Sequence, residues 1–427
     1  MRSFFVRRNG TEDGGCDFIL EPGHNLFTGE GDFENFFGQP TSLESDLLLI
    51  GASVLAADRA TERGDREDHA RRIQLDVPVV NLARLLPLRH DIENILRILS
   101  NDGWRVNLRQ ERGDPEPISD FAKANGRTLL FSGGLDSLAA ALEFGSDELQ
   151  LVSHKTRNRQ TDRGQVELVA QLSAVGLNLP HLQFFVSSRD GAPGALTHDV
   201  ENSQRTRSFL FLILGSLCAR RAGHDQILYL AENGQMAIHL PLTQGRIGSF
   251  STHTAHPDFL SAMEGFLRNS MAFPFRIINP YVYKTKAEVI QSVVTTLPSS
   301  LPISNSCWRN ARLPVGITHC GECIPCFVRR IAIEFWIQPD PTAYGDDSWV
   351  DGTLELPPDN LARRNMADLT EFIVRMETMS NEEVMSEWPE LYSSNLDPLQ
   401  VISMYRRFAG EARTVLDRYP DLQPLLS

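Results

Sequence analysis

Two groups of residues in this sequence have types and spacings suited to chemistry. The first is Ser132-Gly133-Gly134-Leu135-Asp136-Ser137, a turn of small, hydroxyl and acidic residues between the apolar run 128–131 and an Ala/Leu-rich stretch. Such a turn can cradle a phosphate. Glycines let the anion approach the backbone, unpaired N–H groups and the positive end of the following helix face it, and Ser132 and Ser137 add hydroxyl donors. Asp136 is placed to cap the helix or to hold a magnesium ion. The turn lacks the lysine of the GxxxxGK[ST] loop, and its adjacent glycines do not fit GxGxxG. A plain Gly-Gly turn before a helix is the competing reading.

The second group is Cys307 followed, after twelve residues, by Cys320-Gly321-Glu322-Cys323-Ile324-Pro325-Cys326. In a reducing compartment, four thiols with three at CxxCxxC spacing suit tetrahedral zinc. An iron–sulfur cluster competes, because CxxCxxC also begins ferredoxin-type sets, and four unrelated core cysteines form the bland alternative. With every position filled by sulfur, zinc would be structural and would fix segment 300–330 near the catalytic edge. His319 is surplus to such a site. Cys16 and Cys218 stand alone, and Cys218 lies in an apolar helix as a small buried thiol.

The elements that must position these groups begin at residue 128, where strands alternate with helices. Strands are expected at 128–131, 149–154, 181–187, 226–231 and 276–282, and helices at 136–144, 164–175, 203–221 and 285–294. This alternation implies crossovers and a mainly parallel sheet covered on both faces, with ligands outside the carboxyl ends of the strands.

The loops at that edge hold further candidates. His154 and Lys155 follow the second strand, with a surface role as the alternative. Glu232 and Asn233 follow the fourth strand, where the carboxylate could bind magnesium or substrate, although Asn-Gly alone also makes a turn. The polar loop 244–257, with Arg246, Ser249, Ser251, Thr252, His253 and His256, reads as a substrate-covering loop. Its HxxH lacks a third ligand, which favours hydrogen bonding or acid/base work over a metal. Arg207, in Arg205-Thr206-Arg207, opens a helix and suits a nucleotide phosphate. Lys286 also opens a helix, where the dipole disfavours a cation, and that mismatch points to a nearby anion.

Residues 1–120 read as an α+β accessory region, 121–300 as the core, 301–335 as the metal-binding segment and 336–427 as a helical region. In the first, strands at 2–8 and 16–20 are joined by Asn-Gly and Gly-Gly turns as a hairpin, and a helix within 45–60 has an apolar face. Strand 75–80, helix 91–99 and strand 104–108 follow, then a linker at 110–117. The charges of 58–72 suit a salt-bridged helix face. With no catalytic cluster, this region suits partner binding or shaping of the substrate entrance. The tail carries helices at 360–378, 381–386 and 399–419, read as core and interface.

At 427 residues and 41% hydrophobic, the chain can bury a large core, and a net charge of -14 argues against gripping nucleic acid. The longest apolar run, 209–219, is too short for a membrane span, and no basic stretch leading into an apolar one opens the sequence; a cytoplasmic location is expected.

SGGxDS resembles the signature of the PP-loop ATP pyrophosphatases. Paired with the Ser306-Cys307 and CGECIPC site, and with 284–289 in the lysine-helix position, it resembles the QueC family of 7-cyano-7-deazaguanine synthases over roughly 125–335. The resemblance implies an adenine nucleotide alpha hydrolase-like α/β fold, with ATP, Mg2+ and a structural Zn2+. It implies catalytic roles for Ser132, Asp136, Ser137 and Lys286. Nucleotide contacts would come from Gly133, Gly134, Leu135, His154, Lys155 and Arg207, and substrate contacts from Glu232, Asn233, His253 and His256. In that family ATP adenylates the carboxylate of 7-carboxy-7-deazaguanine, ammonia gives an amide, and a second ATP dehydrates it to a nitrile. The added terminal regions, the wide first cysteine gap and Gln204-Arg205-Thr206-Arg207 depart from the plain synthase. They look like the QueC-like proteins of antiphage systems, such as the QatC type, which implies transfer to an amine of a partner protein. A tRNA-modifying PP-loop enzyme and a nucleotide-binding scaffold remain competing classes; acidity counts against the first and the intact loop against the second.

Overall fold

The computed structural model describes residues 1–8, 15–63, 70–116, 126–145, 148–155, 159–188, 201, 205–223, 227–243, 253–309, 313–314, 316–347, 349 and 352–426. The first region contributes β1 (Arg2–Val6), β2 (Phe18–Leu20), β3 (Leu26–Thr28), α1 (Glu30–Phe37), α2 (Ser42–Ala60), β4 (Arg72–Val79), the short α3 (Leu82–Leu85), α4 (Arg89–Ser100) and β5 (Gly103–Gln110). Its four-stranded sheet runs β2-β1-β4-β5, and all three pairings are parallel. The expected hairpin is therefore corrected: Phe4 pairs with Phe18 and Val6 with Leu20 in parallel, and β1 takes β4 as its other neighbour.

The second sheet carries β6 (Arg127–Leu130), α5 (Leu135–Phe144), β7 (Leu149–Lys155), α6 (Arg159–Ala174), β8 (His181–Ser188), α7 (Arg207–Ala222), β9 (Ile227–Tyr229), α8 (Gly234–Ile238), α9 (Pro257–Met271), β10 (Arg276–Ile278) and α10 (Lys286–Thr296). Its order is β10-β9-β6-β7-β8-β3; the first five strands are parallel, and β3 closes the edge antiparallel to β8. The sheet buries both faces, as parallel sheets must. Leu130, Val152 and Leu228 face α7 in one core, while Leu129, Leu151 and Phe131 join α5 and α10 in another.

Helix α2 touches β4 of the first sheet and β3, β8 and α7 of the second, which is why it is buried all round rather than along one stripe. Its buried acids all have partners. Glu44 pairs with Arg221 at 2.6 Å, Asp46 accepts from the Asn81 N–H at 2.8 Å, and Asp58 accepts from the Thr206 hydroxyl at 2.8 Å and pairs with Arg71. Arg71 also meets Asp102 at 2.6 Å. Several charges of 58–72 are thus paired in the interior, where Asp58 ties the first region to the residue before α7, and do not form a salt-bridged helix face. Unpartnered, each would cost several kcal/mol, roughly 3–5.

The C-terminal part is helical: α11 (Ile324–Trp336), α12 (Leu361–Thr378), α13 (Asn381–Glu387) and α14 (Pro398–Leu416) share one apolar core with Ile238 and Leu240. Among the described residues, no helix is long and apolar enough to cross a membrane.

Candidate active site

The strand order fixes where a ligand should sit. The chain moves outward from β6 to β7 and β8, then returns to the other side of β6 with β9, so the switch point lies between the carboxyl ends of β6 and β9. The loops leaving those two strands are 131–134 and 230–233, which carry Ser132, Gly133 and Gly134 on one side and Glu232 and Asn233 on the other.

The phosphate turn is held from outside. Gly133 has φ of 82°, a left-handed conformation, and a Cβ there would stand 3.0 Å from Gln165 Cγ. The buried Gln165 of α6 donates to the Ser132 carbonyl at 3.2 Å, and the Asn305 N–H donates to the Gly133 carbonyl at 2.9 Å. Ser132 and Ser137 lie 3.3 Å apart, hydroxyl to hydroxyl, and Ser137 donates to the Gly134 carbonyl at 3.0 Å. Gly134 stands at the N-cap of α5 without a side-chain cap, so Asp136 does not cap the helix. Leu135 is buried under the turn.

Asp136 instead turns toward the second loop. The Lys286 ammonium reaches its Oδ2 at 2.9 Å, with both side chains less than a tenth exposed. Asn233 Nδ2 donates to the same oxygen at 2.8 Å and to Glu232 Oε1 at 3.2 Å, while its Oδ1 accepts from the Met236 N–H and caps α8. Asp136 Oδ1 is buried and has no protein partner. Burial alone would raise the Asp136 carboxyl; the charge of Lys286 and hydrogen bonds from Glu232, Lys286 and Asn233 outweigh it and hold it below the ordinary range. Glu232 goes the other way: burial, and then the charge and hydrogen bonding of Asp136, raise it well above its usual value. The two neighbouring carboxyls are thus pushed in opposite directions, Asp136 toward the ionised form and Glu232 toward the protonated one. A divalent cation fits this donor set, since the orphaned Asp136 Oδ1 and the Glu232 carboxyl are the hard oxygen ligands that magnesium takes.

The cation expected to disfavour its helix start is thus explained. Thr285 and Glu288 close a capping box on α10, and Lys286 answers to Asp136. Thr285 also donates to Glu411 of α14 at 2.7 Å, which ties the C-terminal helices to this helix start.

The other expected nucleotide contacts are scattered. His154 is buried inside the sheet and its Nε2 lies 2.9 Å from the Val186 carbonyl; burial, with Arg207 and Arg59 nearby, pushes it down to about 3. Lys155 is exposed at the end of β7, and Arg207 is half-buried at the start of α7. His253 and His256 pack ring against ring at 5.2 Å, and His256 Nδ1 caps α9 by accepting from the Asp258 N–H. Both line a cavity of about 850 Å³ that also takes in Gln235, His239 and Trp308. Arg246, Ser249, Ser251 and Thr252 lie outside the described residues.

The four cysteines converge. Their sulfurs all lie within 4.8 Å of one another, and among the described residues this is the cluster with metal-ligand spacing. The sulfurs of Cys320 and Cys326 are 3.8 Å apart, close to the edge of a tetrahedron built on Zn–S bonds of about 2.3 Å. The N–H groups of Arg309 and Cys320 point at the Cys307 sulfur at 3.3 and 3.4 Å, as suits a thiolate. Gly321 has φ of 83° and its Cβ position falls 1.9 Å from the Asp346 carbonyl, so only glycine fits that knuckle. His319 stays off the sulfurs; its Nε2 accepts from the Ser306 N–H at 3.1 Å.

Sequence reasoning missed the supporting residues Gln165, Gln235 and Asn305. None lies in a motif; their contacts join segments far apart in the chain.

Residues 229–336 match the family model "Queuosine biosynthesis protein QueC". The chain is also 26% identical over 243 residues to the 7-cyano-7-deazaguanine synthase of Agrobacterium fabrum (strain C58 / ATCC 33970), covering 53% of this chain and 94% of that one. The enzyme of the same name from Rhizobium leguminosarum bv. trifolii (strain WSM2304) is 27% identical over 246 residues, at 52% and 94% coverage. That from Rhizobium johnstonii (strain DSM 114642 / LMG 32736 / 3841) is 27% identical over 243 residues, at 52% and 93%. These are distant homologies, and nearly half of this chain lies outside them.

Proposed function

We propose that this chain is a QueC-like, ATP-dependent enzyme that adenylates the carboxylate of a 7-deazaguanine and passes the acyl group to an amine. The observation that carries the reading is the pairing, at the switch point, of a lysine-free phosphate turn with the buried Lys286–Asp136–Asn233 cluster. A carboxylate is a poor electrophile. Its oxygen attacks the α-phosphorus of ATP, pyrophosphate leaves, and the acyl adenylate then accepts the amine nitrogen and releases AMP.

In this scheme the backbone of Gly133 and Gly134 and the hydroxyls of Ser132 and Ser137 receive the phosphates. Lys286 holds Asp136 ionised, and Asn233 fixes its orientation. Asp136 Oδ1 with Glu232 would hold magnesium, which supplies charge neutralisation on the departing pyrophosphate. The four-cysteine site would hold a structural zinc, fastening Asn305 and the phosphate turn through the chain it anchors.

For the acceptor we favour an amine of a partner protein in antiphage defence, because the described residues of 1–120 carry no reactive cluster and lie outside the span 229–336 that matches the family model. The second reading is a free nitrile synthase using ammonia, favoured by the similarity to 7-cyano-7-deazaguanine synthases. Incubation with ATP, magnesium and 7-carboxy-7-deazaguanine, with ammonium or with the products of neighbouring genes, separates them by mass spectrometry. Free nitrile supports ammonia as acceptor, a mass gain on a neighbouring protein supports transfer, and no AMP in either mixture refutes adenylation.

A further inference from the structure

The groups that meet Asp136 arrive on two stretches of chain, 232–235 and 284–286, and these are bonded to each other. The Gly234 N–H donates to the Lys284 carbonyl at 2.8 Å, and the Lys286 N–H donates to Gln235 Oε1 at 2.9 Å. Behind them runs α14, whose side chains hold both stretches. Met404 lies against Gly234, where an added Cβ would stand 2.7 Å from its Cε. The Tyr405 hydroxyl accepts the Leu240 N–H at 3.2 Å and donates to the Gln235 carbonyl at 3.4 Å. Arg407 donates to the Tyr283 carbonyl at 2.8 Å and to Glu288 at 2.6 Å. Glu411 accepts from the Thr285 hydroxyl at 2.7 Å.

Glu411 is the residue that packing does not explain. It is 8% exposed; its Oε1 takes the Thr285 hydroxyl, and its Oε2 is buried without a protein partner. A leucine would fill this position, between the core residues Phe408 and Ala412, without burying a carboxyl. A polar group kept at such a cost is expected where it orients something.

What it orients is the start of α10. Thr285 is the N-cap of that helix; its hydroxyl oxygen accepts the Glu288 N–H at 3.1 Å, and the hydroxyl proton goes to Glu411. Lys286 is the first residue after the cap. The direction in which α10 starts sets where the lysine stem points, and its ammonium stands 2.9 Å from Asp136.

We propose that Glu411 is a positioning residue: acting through the Thr285 hydroxyl, it fixes the start of α10 so that Lys286 stays on Asp136. Helix α14 is then a strut that the C-terminal region sets against the active site, from outside the span 229–336 that matches the family model. The inference rests on the adenylation reading only for what the pair does in the reaction, since the aim of Lys286 can be measured without it.

The chain has four lysines, Lys123, Lys155, Lys284 and Lys286, so competitive acetylation reads each one. The full-length, metal-loaded protein is treated briefly with acetic anhydride and cut at arginine, and the label at each site is measured by tandem mass spectrometry. The Lys286 side chain is 7% exposed and paired, whereas Lys155 is exposed, so the parent should label Lys286 far more slowly. Glu411→Met is expected to raise the Lys286-to-Lys155 ratio about five- to tenfold, as one lost hydrogen bond would. Glu411→Gln keeps the acceptor and is expected to match the parent. Thr285→Val removes the same bond from the other side, should give the same rise, and stands in if Glu411→Met yields no folded protein. Val401→Ala opens a cavity in the C-terminal core earlier on the same helix and is expected to lower the melting temperature with the ratio unchanged. An unchanged ratio on loss of the Thr285–Glu411 bond, or an equal rise in Val401→Ala, overturns the proposal. Pyrophosphate release from Mg-ATP with 7-carboxy-7-deazaguanine is followed on the same proteins, and Glu411→Met should lower kcat by the same factor as the labelling changes. No release by the parent refutes adenylation and leaves the labelling to decide the role of Glu411.

Discussion

Replacing Lys286 with methionine retains the apolar stem and deletes the ammonium that meets Asp136 at 2.9 Å. Asp136 keeps Asn233 as a donor, but its charge is stranded beside Glu232 in a site less than a tenth exposed. Breaking a buried pair from one side costs about 3–5 kcal/mol. The carboxyl can escape by taking a proton, and that escape sets a ceiling. From an ordinary carboxyl value of about 3.9, protonation costs about 4 kcal/mol at pH 7 and about 1.5 kcal/mol at pH 5. In the parent, Asp136 is held low, so its contribution is present above the unfolded value and lost only as pH falls through the folded one. In the variant the folded value is raised, so stability falls as pH rises. The gap between the two proteins is therefore widest at neutral pH. With an unfolding entropy of about 2.1 cal/mol/K per residue over 427 residues, the expected drop in melting temperature is about 4 °C at pH 7 and about 2 °C at pH 5. Thermal unfolding followed by circular dichroism, without nucleotide, measures both. Asp136→Asn in the same chain should restore most of the loss at pH 7 while pyrophosphate release stays abolished. An equal drop at the two pH values, or no recovery in the double variant, refutes the account of this pair.

Three other outcomes are expected. Magnesium binding to the nucleotide-free protein should tighten as pH rises above the ordinary carboxyl range, because burial and Asp136 favour the protonated form of Glu232, whose proton the cation must displace; Glu232→Gln should abolish that pH dependence in calorimetry, and a flat parent profile would contradict the raised Glu232 carboxyl. Elemental analysis should give one zinc per chain, lost in Cys320→Ser, whereas stoichiometric iron with acid-labile sulfide would replace zinc by a cluster. Burial raises Glu411 to about 7, so this residue makes stability fall as pH rises from about 4.5 to 7; Glu411→Gln should flatten urea midpoints across that window, and an unchanged profile would show that the carboxyl titrates normally.

The sequence exposed the site where chemistry repeats in local patterns. The turn 132–137 and the four cysteines are contiguous or nearly so, and the helix starts at Thr285 and Asn360 carry their own caps. Strand neighbours were harder, because pairing is non-local. Phe4 and Phe18 belong to adjacent apolar runs with glycines between, the pattern of a hairpin, yet β4 some 70 residues away supplies the parallel neighbour that sets the direction. The helical periodicity of α9 lay hidden behind a histidine-rich stretch, and β3 is only three residues long. Lys286 was legible as a misfit at its helix start; that Asp136 is the anion it meets required the fold, since they stand 150 positions apart. Gln235 gave no signal, for in Asn233-Gly234-Gln235 it reads as the tail of a turn.

The three residues of β3 have a consequence for how this protein can be divided. They cap β8, whose outer edge would otherwise present open N–H and C=O groups from 186 to 188. A fragment that begins after β5 would expose that ladder and invite a strand from another molecule in place of the missing one. Trimmed preparations should then self-associate through the sheet margin, so the leading residues act as a built-in seal against polymerisation.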